Sequence, residues 1–136
     1  ADAERYFRSA LEQAPGAYTP AVNLGGVLVT MGRYAEALEY NLYAVLEDPG
    51  DPLGQAQLGM NYLFLGKPDS ALKHLKEAKR LDPGHFSHPQ RYLARIYLER
   101  GDAKAAVAEL EDFLRRHPDS PAAAPIRKRL EELRGK

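Results

Sequence analysis

His85 and His88 stand three residues apart and close to Asp82, a spacing at which two imidazoles can meet one metal ion. Two histidines without a thiolate or a clear third ligand make a weak donor set, and no metal site is expected. His74 and His117 stand alone. Ser9, Ser70, Ser87 and Ser120 have no His or Asp companions at a spacing that suggests an activated nucleophile. Gly25-Gly26 falls within a helical stretch and lacks the strand and lysine of a phosphate loop. The carboxylates are spread over outward helix faces. These residue types predict binding rather than catalysis, with no cofactor.

A basic ridge of Lys73, Lys76, Lys79 and Arg80, with Arg127 to Arg129 further on, raises the question of an anionic polymer. No aromatic residue interleaves the ridge and the net charge is +0, so nucleic acid is not an expected partner. The neutrality conceals a gradient. Residues 1–51 hold 3 Lys+Arg against 8 Asp+Glu, and residues 52–136 hold 16 against 11, giving −5 and then +5. Such a dipole favours head-to-tail contacts or an anionic partner at the basic end, although solvated helix faces produce the same imbalance.

The elements that carry these residues follow from punctuation. Pro15, Pro49, Pro83 and Pro118 fall 34, 34 and 35 residues apart, and Gly32, Gly66 and Gly101 fall 34 and 35 apart. A fixed period of this size marks a stacked helical array. The units predicted are a lone helix over 2–15, repeats over 18–51, 52–86 and 87–119, and a capping helix over 120–134. In the first, Ala3, Phe7, Ala10 and Leu11 share a stripe. Thr19 is expected to cap the next helix with Pro20 in its first turn, and Asp51 and Asp102 to cap later ones. Gly25 and Gly59, with Ala94 in the third unit, suggest that a small residue is needed where helices cross. The third unit begins one residue late, and the loop PGHFSH absorbs the extra residue. Ser120-Pro121 opens the last helix, whose Ile126, Leu130 and Leu133 form one apolar stripe.

With 136 residues and 44% apolar side chains, a core of ordinary size can form without staples. There are no cysteines, which excludes disulfides and thiolate chemistry and suits any redox compartment, so no compartment is assigned. No apolar run reaches the roughly 18 to 20 residues a membrane span requires, and no charged-then-apolar leader opens the chain. A soluble chain without a membrane partner is expected.

The units resemble the tetratricopeptide repeat (TPR) family. Its Leu-small pair is met by Leu24-Gly25, Leu58-Gly59 and Leu93-Ala94, its later aromatic by Tyr62 and Tyr97, and its turn glycine by Gly32, Gly66 and Gly101. Ala37, Ala71 and Ala106, then Ala10, Ala44 and Ala78, then the four prolines complete the pattern. Phe113 departs from the later Ala, which fits an array ending in a different helix. The family's Trp is replaced by Ala21, Gln55 and Gln90. The resemblance implies an all-α fold: a right-handed superhelical solenoid of antiparallel helix pairs with a C-terminal capping helix.

It also implies that first helices line a concave groove in which a peptide lies. By register the groove positions are Thr19, Val22, Gly26, Val29 and Thr30, then Leu53, Ala56, Met60, Leu63 and Phe64, then His88, Arg91, Arg95, Leu98 and Glu99. The first two sets are apolar and the third is basic. The expected ligand is a protein or peptide with a hydrophobic stretch followed by an acidic end, held by Val22, Gly26, Leu53, Met60, Phe64, His88, Arg91 and Arg95. Leu53, Met60 and Phe64 make the apolar anchor. Internal pairing of Arg91 and Arg95 with Glu99 is the competing reading of the basic set. The Lys and Asn signature of chaperone-tail binders is missing at Val22, Gly26, Gln57, His88 and Tyr92, so that ligand is not expected. The rival function is structural. An unpaired 2–14 helix exposes a flank, so the stretch is expected to be cut from a longer array or to self-associate through Tyr6, Phe7 and Leu11.

Overall fold

A computed structural model of the chain describes residues 2–135 and consists, over those residues, of eight helices without a strand. They are α1 (Asp2–Gln13), α2 (Tyr18–Thr30), α3 (Tyr34–Glu47), α4 (Pro52–Phe64), α5 (Pro68–Leu81), α6 (Pro89–Glu99), α7 (Ala103–Arg116) and α8 (Ala123–Arg134). Each helix packs on its neighbours in the chain, and α2 also meets α4 side by side. The result is an all-α helical solenoid.

The three hairpin corners are built alike. Gly32, Gly66 and Gly101 take φ of 77°, 77° and 78°, where a Cβ would be strained. Each corner closes with the same pair of bonds: Gly32 N–H to Val29 O with Arg33 N–H to Leu28 O, Gly66 to Leu63 with Lys67 to Tyr62, and Gly101 to Leu98 with Asp102 to Tyr97. This is the Schellman closure, which satisfies carbonyls that a helix end leaves open. Asp51 accepts the Leu53 amide at 3.0 Å and Asp102 the Ala105 amide at 3.0 Å, so both act as caps. Thr19 does not. The extended residue is Ala17, the helix begins at Tyr18, and the Tyr18 hydroxyl donates to Asp51 at the start of α4. The last helix also starts later than its Ser-Pro pair suggested. Ser120 Oγ accepts the Ala122 amide at 3.1 Å, which holds 119–122 as a turn before α8.

Small residues set how closely the helices of a hairpin approach. A Cβ on Gly25 would sit 2.1 Å from Asn41 Oδ1, and one on Gly59 would sit 2.7 Å from Leu75 Cγ and 3.2 Å from the Leu75 amide nitrogen. Leu24, Leu28 and Ala37 form one apolar cluster, Leu63, Ala71, Leu75, Leu93 and Ile96 the next, and Leu110, Phe113, Ile126 and Leu130 the last. Between the first two the interior is polar. Asn41 Nδ2 donates to Asn61 Oδ1 at 2.9 Å, Asn61 Nδ2 to the Tyr34 carbonyl at 2.8 Å, and Gln57 Nε2 to the Val22 carbonyl at 2.8 Å. At the end of the array the fully buried Phe113 ring packs with Ile126 and Leu130 of α8.

The first helix is tied down by charge. Arg8 and Arg33 both bridge Glu4 and Glu36, joining α1 to α3, and Arg8 Nη1 also donates to the Tyr40 hydroxyl at 3.2 Å. Hydrogen bonds from Arg8 and Arg33 hold the Glu4 carboxyl below its ordinary range, and bonds from Arg33 and Arg8 do the same for Glu36.

Two outcomes follow from this packing. Gly25→Ala should destabilise by about 1–3 kcal/mol through overpacking, despite the ~1 kcal/mol that alanine gains in a helix. Gly54→Ala, whose Cβ would find the Tyr18 hydroxyl at 3.4 Å, should be neutral or stabilising when both variants are unfolded in urea. For α1, both carboxyls have depressed folded values, so their contribution is whole above about pH 4.5 and is lost as pH falls below it. Amide protection factors of α1 should therefore fall on acidification before those of α4 and α5; loss in step across the chain would contradict this.

Candidate functional site

Helices α2 and α4 run side by side, and with the first turn of α6 and the loop before it they bound a groove of about 910 Å³. Gly26, Val29, Thr30, Leu53, Met60 and Phe64 line it, at positions the register places there. So do Asn23, Gln57 and Tyr92, which are equivalent positions in the three hairpins, and Met31 and Tyr34. Ala3 and Phe7 of α1 close one end.

Phe64 is the hub. Its ring stacks on Tyr34 at 5.1 Å and meets Tyr92 edge-on at 6.5 Å, so one aromatic row crosses all three hairpins. The Arg95 guanidinium lies 5.7 Å from the Phe64 centroid, within cation–π range. Arg95 also pairs with Glu99 at 3.3 Å on an exposed surface, a contact worth about 0.3–0.5 kcal/mol. Arg91 is exposed and has no acidic partner among the described residues. Its counterparts Val22 and Ala56 are buried, 3% and 1% exposed. The helix that follows α6 and α7 packs on α7, which leaves the Arg91 side of α6 open.

Of the eight expected binding residues, Arg91 and Arg95 lie beyond the groove lining on the open side of α6, and Val22 and His88 are turned away from it. Val22 is buried, and its carbonyl accepts the Gln57 amide at 2.8 Å. His88 opens α6 in the left-handed region, φ 54°, and its ring turns toward Phe113 and His117, with centroids 5.0 and 4.5 Å away. Burial, then the neighbouring His117, push the His88 imidazole below its ordinary value. His85 is engaged separately: its Nδ1 accepts the Ser87 amide at 3.1 Å and its ring stacks on Phe86 at 4.2 Å. Among the described residues no cluster of three or more His, Cys, Asp or Glu side chains is placed to hold a metal.

Phe86 is the residue the register could not show. It belongs to the loop that carries the extra residue, lines the groove and is 72% exposed. A longer loop holding an aromatic was the available signal. The self-association residues divide: Tyr6 is 70% exposed, whereas Phe7 and Leu11 pack against Leu24, Leu28 and Ala37. The basic ridge is partly spent, since Lys79 pairs with Glu109 at 2.8 Å and Arg80 with Glu77.

Comparison with known proteins agrees with this geometry. A tetratricopeptide repeat profile matches residues 62–130, and a second matches residues 1–52. The TPR repeat-containing thioredoxin TTL4 of Arabidopsis thaliana is 34% identical over 86 residues, 63% of this chain but 12% of that protein. The chain thus spans a small part of that relative, and with no cysteine it holds no counterpart of a redox dithiol. Among solved structures, MamA superposes with a TM-score of 0.80 at 19% identity, over 97% of this chain and 72% of that one. YrrB, described as a TPR protein with an unusual peptide-binding site, superposes with a TM-score of 0.78 at 26% identity, over 92% and 64%. Two profiles that span most of the sequence, and neighbours of the same architecture, establish that the chain belongs to the tetratricopeptide repeat family.

Proposed function

We propose that this protein-interaction module is non-catalytic and holds an extended peptide of a protein partner in the groove of α2, α4 and α6. The observation that carries the reading is Phe86, an aromatic side chain 72% exposed at the rim of an apolar groove. A lone exposed ring is ordinary, but one that continues the apolar wall of a groove marks a docking surface. An apolar ligand residue sits between Met60, Phe64 and Phe86, and Leu53 and Val29 extend the same wall. A carboxylate or acidic side chain beyond it meets Arg91 and Arg95, one helical turn apart, where a bidentate contact is available. Arg95 must exchange Glu99 for the ligand, a small cost at an exposed pair. The peptide site named for YrrB is consistent with this use of the fold.

A second reading is self-association through α1. Tyr6, 70% exposed on the outer flank of that helix, favours it.

Peptides selected from a random display library against the whole chain test the first reading. Phe86→Ala should weaken a selected peptide by about tenfold, the equivalent of ~1.4 kcal/mol, without lowering stability. Arg91→Glu with Arg95→Glu should remove the preference for an acidic residue; unchanged affinity in both variants would sink the proposal. Sedimentation over a dilution series tests the second reading: a dimer lost on Tyr6→Glu supports it, and a monomer throughout dismisses it.

A further inference from the structure

The three hairpins differ at one equivalent position outside the groove. In the second, Gln55 Nε2 donates to the Pro49 carbonyl at 2.9 Å while its Oε1 meets His74 Nδ1 at 2.9 Å. In the third, Gln90 Nε2 donates to the Pro83 carbonyl at 2.6 Å and to Asp112 Oδ2 at 2.9 Å. In the first the same register falls on Ala21. No side chain reaches inward there, and among the described residues no donor meets the Pro15 carbonyl. What remains is a cavity of about 410 Å³ between α1 and α3, which shares no lining residue with the groove.

Its walls narrow the choice of occupant. Pro15 offers a carbonyl, and Glu12 and Glu39 offer exposed carboxylates in no ion pair among the described residues. The Tyr43 hydroxyl already donates to Gly16 O at 2.8 Å, and the Tyr40 hydroxyl accepts from Arg8 and keeps its own proton, so these rings present π faces, acceptor lone pairs and the Tyr40 O–H. Arg8, the cation on the wall, is neutralised by Glu4 and Glu36 and lies 5.9 Å over one side of the Tyr40 ring. The wall offers many acceptors and few spare donors, the Tyr40 O–H among them, so a guest rich in N–H groups is favoured over an amide whose carbonyl must also be satisfied. A planar group made only of donors fits better, and a guanidinium carries five N–H groups, stacks on aromatic faces and bridges carboxylates. The surrounding half of the chain, residues 1–51, has 3 Lys+Arg against 8 Asp+Glu, which attracts a cation.

We infer that the cavity left by Ala21 is a binding site for an arginine side chain of a protein partner. The guanidinium donates to the Pro15 carbonyl and to the Glu12 and Glu39 carboxylates, with its plane against Tyr40 and Tyr43. It supplies from outside the N–H that Gln55 and Gln90 supply from inside. The site is independent of the groove, so a partner can engage both faces of the array.

The test is a titration of the ¹⁵N-labelled chain with N-acetyl-arginine amide, against N-acetyl-citrulline amide as its neutral isostere. The arginine probe should give saturable shifts at the amides of Gly16, Ala21 and Tyr40, with a dissociation constant in the millimolar range. Citrulline should bind at least about tenfold more weakly, the equivalent of ~1.4 kcal/mol. Ala21→Gln, which gives the first hairpin the amide its sisters have, should abolish the response, and Glu39→Gln should weaken it several-fold. Absent or non-saturating shifts, an equal citrulline response, or binding that survives Ala21→Gln would overturn the inference. Should Ala21→Gln not fold, unchanged binding in the surface variant Glu39→Gln overturns it instead. The groove-bound peptide is a separate ligand, and the variants that weaken it leave this response intact.

Discussion

The distance at which the two helices of a hairpin can pass decides everything built on them. At Gly25 and Gly59 a single added carbon would collide with Asn41 or Leu75, so the residue type at the crossing sets the spacing. Overpacked crossings relax by driving side chains off their rotamers or by moving helices apart, at a cost of about 1–3 kcal/mol. The left-handed glycine at each corner then sends the chain back along the same line. Repeated three times, these two constraints bring α2 beside α4 and carry the row on to α6.

Close approach also governs the chemistry of the groove. At the first crossing the partner of Gly25 is Asn41, where the later hairpins have Leu75 and Leu110. One polar residue in that interior demands others, and Gln57 and Asn61 answer with bonds to Val22, Asn41 and Tyr34. A buried amide left without a partner costs about 1–3 kcal/mol, so the set stands or falls together. Because Gln57 spends its donors inward, the wall it shares with Leu53, Met60 and Phe64 remains mainly apolar. The basic end arises differently, from the position of α8. That helix packs on Phe113 of α7 rather than alongside α6, and Arg91 is left facing water.

Periodicity made the helices, the corner glycines and the caps at Asp51 and Asp102 legible, because each is a local rule repeated at fixed spacing. Register also located Gly26, Leu53, Met60 and Phe64 on the groove wall. It failed where a long-range bond overrode local preference. Thr19 has the right type for a cap, but Tyr18 is drawn into the helix and its hydroxyl is held by Asp51. Val22 sits at a groove position but is buried, its carbonyl bonded by Gln57, 35 residues away. His88 and Phe86 escaped for one shared reason. The extra residue between α5 and α6 breaks the period there, turning one ring inward against Phe113 and leaving the other in the groove mouth.

The chain has two methionines, Met31 and Met60, and both line the groove. Their methyl groups, labelled with ¹³C, therefore report on that surface without any substitution. In a titration with a bound peptide followed in parallel by calorimetry, the account predicts that both methyl resonances move and saturate with the heat. Saturating heat with both resonances unmoved would place the ligand elsewhere and contradict the groove as the working surface.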